Sequence, residues 1–279
     1  MTGPAVSVLM GVRNGAAQVR DAVESVLAQT AADLELIVVD DDSTDATPGI
    51  LASFEDPRLR LERRARRGLT SALNAALRLA RAPLVARLDA DDAALPERLE
   101  RQLAYLHAHP EVGLLGTAAR EVDSSGREVA IVRPPTGDVE IRRALIRRNP
   151  FVHSSVVMRR AVLDQVGGYD EAFPVAQDYD LWMRMSRVTR MANLAEPLVV
   201  RRLLAGRISA VHDAERLRAE ARVRWRAVRS AAYTPWCAVF VVRPLLVLAL
   251  PEGGRRLLRR LSGYAGRGPS YCWGAGLDP

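Results

Sequence analysis

Leu34-Glu35-Leu36-Ile37-Val38-Val39-Asp40-Asp41-Asp42-Ser43-Thr44-Asp45 is an apolar run stopped abruptly by acids. A short, nearly continuous apolar run of this kind reads as a strand buried on both faces. Leu84-Val85-Ala86-Arg87-Leu88 repeats the pattern and runs straight into Asp89, Asp91 and Asp92. Around these two, Val6–Met10 reads as a first strand, followed by a polar turn with Asn14-Gly15. Val19, Val23, Val26 and Leu27 then recur at helical spacing. Ser43 is expected to N-cap a short helix through Leu51, Leu59–Leu61 is a brief strand, and Thr70 opens a helix on Leu73, Ala76, Leu77 and Ala80. Strands alternating with helices imply βαβ units and a parallel sheet. Such sheets bind ligands outside the carboxyl ends of their strands, where strand order reverses. Both acid clusters lie at such ends.

Beyond Pro96 a helix is expected to about His107, then a strand at Val112–Gly116 and a hairpin or loop over 117–136 around Ser125-Gly126. Asp138 should cap a helix to Arg148. Ser154–Met158 reads as a strand, Ala161–Val166 as a short helix before Gly167-Gly168, Tyr179–Met185 as a helix, and Leu198–Arg202 as the last core strand.

The 279 residues are 48% hydrophobic, ample for a full core, and the formal charge is +7. All 40 basic residues are Arg. Residues 1–200 hold 25 Arg against 28 acids, whereas residues 201–279 hold 15 Arg against 5. The basic excess is therefore confined to one end, which argues against a protein that coats nucleic acid, and no nucleic-acid partner is expected. Cys237 and Cys272 have neither metal-ligand spacing nor a disulfide framework. No signal peptide is evident, and the apolar run Trp236–Pro251, broken by Arg243-Pro244, falls short of the roughly 20 apolar residues a spanning helix needs. A cytoplasmic location is expected.

Carboxylates two apart, as in Asp89-Ala90-Asp91, can converge on a hard divalent cation, Mg²⁺ or Mn²⁺, that neutralises a diphosphate leaving group. A solvated acidic loop is the alternative reading. Asp40 is placed to accept a hydrogen bond from a nucleobase N–H or a ribose hydroxyl, while Asp42 or Ser43 is expected to cap the following helix. Gln177-Asp178-Tyr179-Asp180-Leu181-Trp182 enters a helix after Pro174, and a carboxylate there can act as a general base. Asp180 reads as the structural acid of the pair. His153 can be a packing residue or part of the site.

Together these stretches resemble the family 2 glycosyltransferases over about residues 5–210. Val6-Ser7-Val8-Leu9-Met10 with Arg13-Asn14-Gly15 is similar to the family's first strand and P-x-Y-N-G turn, with Gly11 and Arg13 in place of Pro and Tyr. VVDDDSTD at 38–45 is similar to VVDDGSTD, Gly68-Leu69-Thr70-Ser71-Ala72-Leu73-Asn74 to the G-L-x-x-A-L-N element, and RLDADDAALPERLER at 87–101 to the DxD strand end and its helix. His153-Ser154-Ser155, Gly167-Gly168-Tyr169-Asp170 and Asp178-Tyr179-Asp180-Leu181-Trp182 follow in the family's order on the acceptor side.

The resemblance implies an α/β, Rossmann-like GT-A fold: a mostly parallel sheet flanked by helices over 1–210, with a nucleotide-binding half (1–105) and an acceptor half (106–210). It implies an inverting transfer of a sugar from a nucleotide-diphospho-sugar, UDP favoured, to the hydroxyl of a carbohydrate or lipid-linked acceptor, in cell-surface polysaccharide or glycolipid assembly. Asp40 would contact uracil, Val8 and Met10 would line the base pocket, and Arg13 and Asn74 would lie near the nucleotide. Asp89 would touch ribose or a metal-bound water, Asp91 the cation, and Asp178 would be the base. His153, Gln177, Trp182 and Arg202 would face the acceptor and donor sugar. Two positions depart from the family: Gln177 stands where Glu is usual, which implies a weaker base, and Leu204 stands where His is common, leaving Arg202 or Arg207 for the phosphates.

Residues 211–279 form the basic appendage. Ala214, Leu217, Ala221, Trp225, Val228 and Ala232 fall on one helical face, and Arg216, Arg218, Arg222, Arg224, Arg226 and Arg229 fill most of the remainder. Two readings stand: a basic amphipathic helix over 211–260 lying on an anionic membrane at the inner face of the cell, or a helix packed on the catalytic domain with a solvated Arg face. Outside the transferases, a sugar-phosphate nucleotidyltransferase would share the sheet and metal chemistry, but would need a Gly-rich, Arg/Lys-bearing loop after the first strand, where only Arg13 stands. A non-catalytic nucleotide-sugar or RNA-binding module would use the tail Arg residues for phosphates.

Overall fold

In the computed structural model, which describes residues 3–203, 213–230, 233–251 and 254, the first half winds as β1 (Val6–Val12), α1 (Val19–Leu27), β2 (Leu34–Asp41), α2 (Thr47–Ala52), β3 (Leu59–Arg64), α3 (Leu69–Leu79) and β4 (Leu84–Arg87). β1 pairs in parallel with β2 on one side and with β4 on the other, and β3 extends the sheet beyond β2. The chain therefore builds outward from β1 to β3, then returns to add β4 on the opposite side. That reversal opens a crevice beyond the carboxyl ends of β1 and β4. α3 crosses close over β1, where a Cβ on Gly11 would come 2.9 Å from Leu69 Cδ1.

The second half adds β5 (Ala93–Ala94), α4 (Arg98–Ala108), β6 (Val112–Val122), β7 (Glu128–Val132), α5 (Asp138–Leu145), a 3₁₀ turn at His153–Ser155, β8 (Val157–Arg159), α6 (Arg160–Val166), α7 (Gln177–Met185) and β9 (Arg190–Arg202). The strand order is β3-β2-β1-β4-β8-β6-β9-β5, with β7 paired to β6. β8 is antiparallel to both β4 and β6, so the sheet is mostly parallel in its first half and mixed in its second. Helices cover both faces, with α3 and α7 over one core cluster and α1 and α4 over the other.

Several boundaries differ from those expected. β9 begins at Arg190 rather than Leu198, and 153–155 is a turn rather than strand because Ser155 N–H donates to Val152 O. Neither Asp42 nor Ser43 caps α2. Ser43 Oγ accepts the Asn14 N–H at 2.9 Å, Asp42 adopts a left-handed φ of 65°, and the Thr47 N–H bonds Asp45 Oδ1. Ser43 thus ties the loop after β1 to the loop after β2.

Two helices follow the sheet, Asp213–Arg229 and, after a 3₁₀ turn at Pro235–Ala238, Val239–Ala249. The first packs on α7: Ala219, Val223 and Ala227 join the core cluster that contains Tyr179 and Leu181. Its buried face differs from the expected stripe, since Trp225 is 48% exposed and Arg224 only 4%. Arg224 tolerates burial because Nε donates to the Tyr179 hydroxyl at 3.1 Å and Nη2 to Arg147 O and Glu220 Oε2, each at 3.0 Å. Ala232 and the remainder of the predicted tail beyond Gly254 lie outside the described residues. Among the described residues no helix is long and apolar enough to cross a membrane.

Candidate active site

The carboxyl edge of the sheet gathers three acidic groups. The first is at the end of β2. Asp41 accepts the backbone N–H groups of Arg67 and Gly68, at 2.8 and 2.7 Å, and so ties β2 to the start of α3. Asp40 accepts the Ser43 N–H on Oδ1 at 3.0 Å. Its Oδ2 is buried without a hydrogen bond, with Arg63 Nε an ion-pair neighbour at 3.5 Å. A buried carboxylate oxygen lacking a donor is costly unless a ligand supplies one.

The second group follows β4. One carboxylate oxygen from each of Asp89, Asp91 and Asp92 lies within 4.8 Å of the others. The Ser154 hydroxyl sits between Asp89 Oδ2 and Asp92 Oδ2, and its single proton serves one at a time. The Arg87 guanidinium, fully buried, pairs with Asp89 Oδ1. Arg202 closes the loop from β9: its N–H bonds Asp92 Oδ1 at 3.1 Å, and its guanidinium reaches Asp91 O and Asp21 Oδ2. Beneath, the buried Arg98 donates to Arg87 O at 2.8 Å and to Gln102 Oε1 at 3.0 Å, which fixes the strand end. Burial, with Arg87 nearby, pushes the Arg98 guanidinium down to about 9. Three convergent hard oxygen donors fit a divalent cation such as Mg²⁺ or Mn²⁺.

The third is the start of α7. Asp178 accepts the Tyr179 N–H on Oδ1 at 2.8 Å and the Asn149 side-chain amide on Oδ2 at 2.6 Å. Gln177 is largely buried beside it, and Trp182 is fully buried in the core. His153 stands between the second and third groups. Its Nε2 lies 3.0 Å from the Tyr169 hydroxyl, and the charges acting on it are those of Arg87, Asp178 and Asp89. Burial first, then Arg87, pushes the His153 imidazole down, while burial pushes the Tyr169 phenol up. The pair is thus a neutral imidazole hydrogen-bonded to a protonated phenol.

The expected site residues divide accordingly. Asp89 and Asp178 both act on His153, Arg202 bonds Asp91 O and Asp92 Oδ1, and Asp40 ends β2 on the same sheet edge. Arg13 is exposed at the end of β1. Val8 and Met10 lie in the core cluster with α1 and have essentially no exposed surface. Asn74 uses its amide on Tyr169, donating to its O at 2.8 Å and accepting its N–H at 3.1 Å, and so pins the 167–170 loop. Leu204 and Arg207 lie outside the described residues. Arg87 and Asn149 were not singled out from the sequence. Arg87 lies inside the strand that carries the DxD, and Asn149, next to Pro150, gives only a turn signal.

Residues 7–167 match the model of glycosyl transferase family 2. The chain belongs to that family. This glycosyltransferase is 32% identical over 189 residues to glycosyltransferase EpsE of Bacillus subtilis, covering 66% of this chain and 67% of EpsE. It is 41% identical over 133 residues to the amylovoran biosynthesis glycosyltransferase AmsE of Erwinia amylovora, covering 47% of this chain and 49% of AmsE. Among solved structures it is similar to S. aureus TarS 1–349 in complex with UDP, at a TM-score of 0.67 and 19% identity, covering 91% of this chain and 77% of that one. It is also similar to the mannosyltransferase PcManGT of Pyrobaculum calidifontis in complex with GDP-Man and Mn²⁺, at 0.62 and 22%, covering 97% and 83%. At these identities the structural likenesses establish the expected fold.

Proposed function

We propose that this glycosyltransferase transfers a sugar from a UDP-sugar to the hydroxyl of a carbohydrate or lipid-linked acceptor, with inversion, in polysaccharide assembly. The observation that carries the reading is the placement of Asp178 across His153 from the Asp89–Asp91–Asp92 cluster. A base and a diphosphate-neutralising site brought near one another are what a single in-line displacement requires, and the charges of Asp178 and Asp89 both reach His153. AmsE, a biosynthetic relative, and the UDP complex of TarS support the pathway class and the donor.

Asp40 Oδ2, buried without a donor, would accept the uracil N–H. Asp89 and Asp91, with Asp92 behind them, would hold Mg²⁺ or Mn²⁺, and the cation would neutralise charge developing on the diphosphate. Arg202 braces that loop through Asp91 O and Asp92 Oδ1. The acceptor oxygen attacks the anomeric carbon and gives its proton to Asp178. The bond from that carbon to the diphosphate oxygen breaks, and the nucleoside diphosphate leaves with the electron pair. Two N–H donors steady Asp178 as an acceptor despite the neutral Gln177 neighbour.

The test is nucleotide release from UDP-, GDP- and TDP-sugars with Mn²⁺, comparing wild type, Asp178→Asn and Asp91→Ala. UDP released from a UDP-sugar, with sugar joined to an acceptor and lost in both variants, supports the reading. Release of pyrophosphate, or tight donor binding without turnover on any acceptor, overturns it.

A further inference from the structure

We infer that the C-terminal helix pair is a docking surface for an anionic phospholipid bilayer. Val239–Ala249 carries Val239, Val242, Leu245 and Leu246 on one side, with Trp236 before it and Leu250 after it, and all six are exposed. Trp236 is 89% exposed, Leu246 64% and Val239 62%. Their spacing of three to four residues makes a continuous ridge. The opposite side is spoken for: Val241 is buried, Phe240 packs against the core, and Arg147 stacks over the Phe240 ring at 5.2 Å. Single exposed apolar side chains are ordinary on a surface, but six aligned large ones mark an interface.

Charge selects the occupant. On the neighbouring helix, Arg218, Arg222, Trp225 and Arg229 recur at four, three and four residues and are all exposed, a basic stripe around an aromatic ring. Ala221 and Arg224 of that helix are buried, Arg224 Nη1 donates to Phe240 O of the second helix at 3.3 Å, and Trp225 lies one turn beyond Ala221. A second copy would bring its own Arg218, Arg222 and Arg229 against this stripe, like charge against like. An anionic headgroup layer satisfies the Arg stripe, and the acyl boundary beneath it takes the Trp and the aliphatic ridge. Arg147, against which the ridge helix is anchored, lies two residues before Asn149, the partner of Asp178.

The inference stands apart from the transfer reading, and its test does not depend on turnover. Full-length protein is floated with phosphatidylcholine vesicles and with vesicles containing phosphatidylglycerol. Wild type should float with the anionic vesicles and less with the neutral ones. Leu245→Glu/Leu246→Glu should cut recovery at least about ten-fold, with unchanged circular dichroism and unchanged nucleotide release in the absence of vesicles. Trp236→Ser, at the most exposed position, should weaken recovery in the same direction and serves if the double variant does not fold. Equal flotation of wild type and ridge variants, or no flotation of wild type with either vesicle, overturns the inference. So does a wild-type dimer in light scattering that the ridge variant converts to monomer. Loss of nucleotide release with flotation intact would instead count against the transfer reading alone.

Discussion

The Asn149 amide can face Asp178 in only one orientation. Its Oδ1 accepts the Phe151 N–H at 3.1 Å, which obliges Nδ2 to point at Asp178 Oδ2, 2.6 Å away. With Oδ1 of Asp178 held by the Tyr179 N–H, both oxygens of the proposed base are fixed by donors whose own positions are set by backbone. Asn149 is thus a positioning residue, and its removal should affect the chemical step more than donor binding. Asn149→Ala is expected to lower kcat by about ten- to a hundred-fold with the donor KM little changed, and Asn149→Gln to recover part of the loss. Steady-state kinetics with the donor varied distinguishes this from a general folding defect, which would lower the active fraction without rescue by Gln.

Ser154 has a comparable role on the metal side. Its hydroxyl bridges Asp89 and Asp92, two carboxylates that would otherwise repel across the site. Ser154→Ala removes the one hydroxyl that bridges them, leaving Asp89 to Arg87 and Asp92 to the Arg202 N–H. Half-maximal activation by Mn²⁺ should move up by about ten- to a hundred-fold, with saturating metal restoring most of the rate. A metal titration of nucleotide release measures this.

How much of this was legible depends on what each residue touches. The 34–45 and 84–92 stretches could be read because an apolar run ending in acids has few other meanings in an alternating α/β pattern. A strand covered on both faces, as at Val8 and Met10, gives no signal of which side reaches a cleft. Ser43 and Asn74 carry residue types suited to caps or ligands, and what decides their use is a distant segment: Asn14 for the first, Tyr169 for the second. Arg224 was expected in solvent because helical spacing cannot foresee that Tyr179, Glu220 and the Arg147 carbonyl would satisfy its donors.

Asp40 offers a test of nucleotide recognition independent of the chemistry. Asp40→Asn keeps the shape and can keep the Ser43 N–H contact through its remaining oxygen, but it replaces Oδ2, the buried oxygen with no donor, by an amide nitrogen that cannot accept one. Charged hydrogen bonds of this kind contribute about 1.5–3 kcal/mol, so UDP affinity should fall by about ten-fold or more. Calorimetry with UDP measures the loss, and unchanged affinity would remove Asp40 from the nucleotide site.

The His153–Tyr169 pair makes stability depend on pH with a defined sign. Burial holds the His153 imidazole below its ordinary value near 6.5, opposed only in part by Asp178 and Asp89. Between the folded and unfolded values the unfolded chain binds more protons, so stability is lost as pH falls through about 6.5 and the penalty is complete below the folded value. Arg87 adds like-charge repulsion to the protonated ring. His153→Gln retains a hydrogen-bonding partner for the Tyr169 hydroxyl without a titrating group. Its melting temperature should therefore decline less between pH 7 and pH 5 than that of wild type, by thermal unfolding in matched buffers; parallel declines would show that His153 does not set the acid limb.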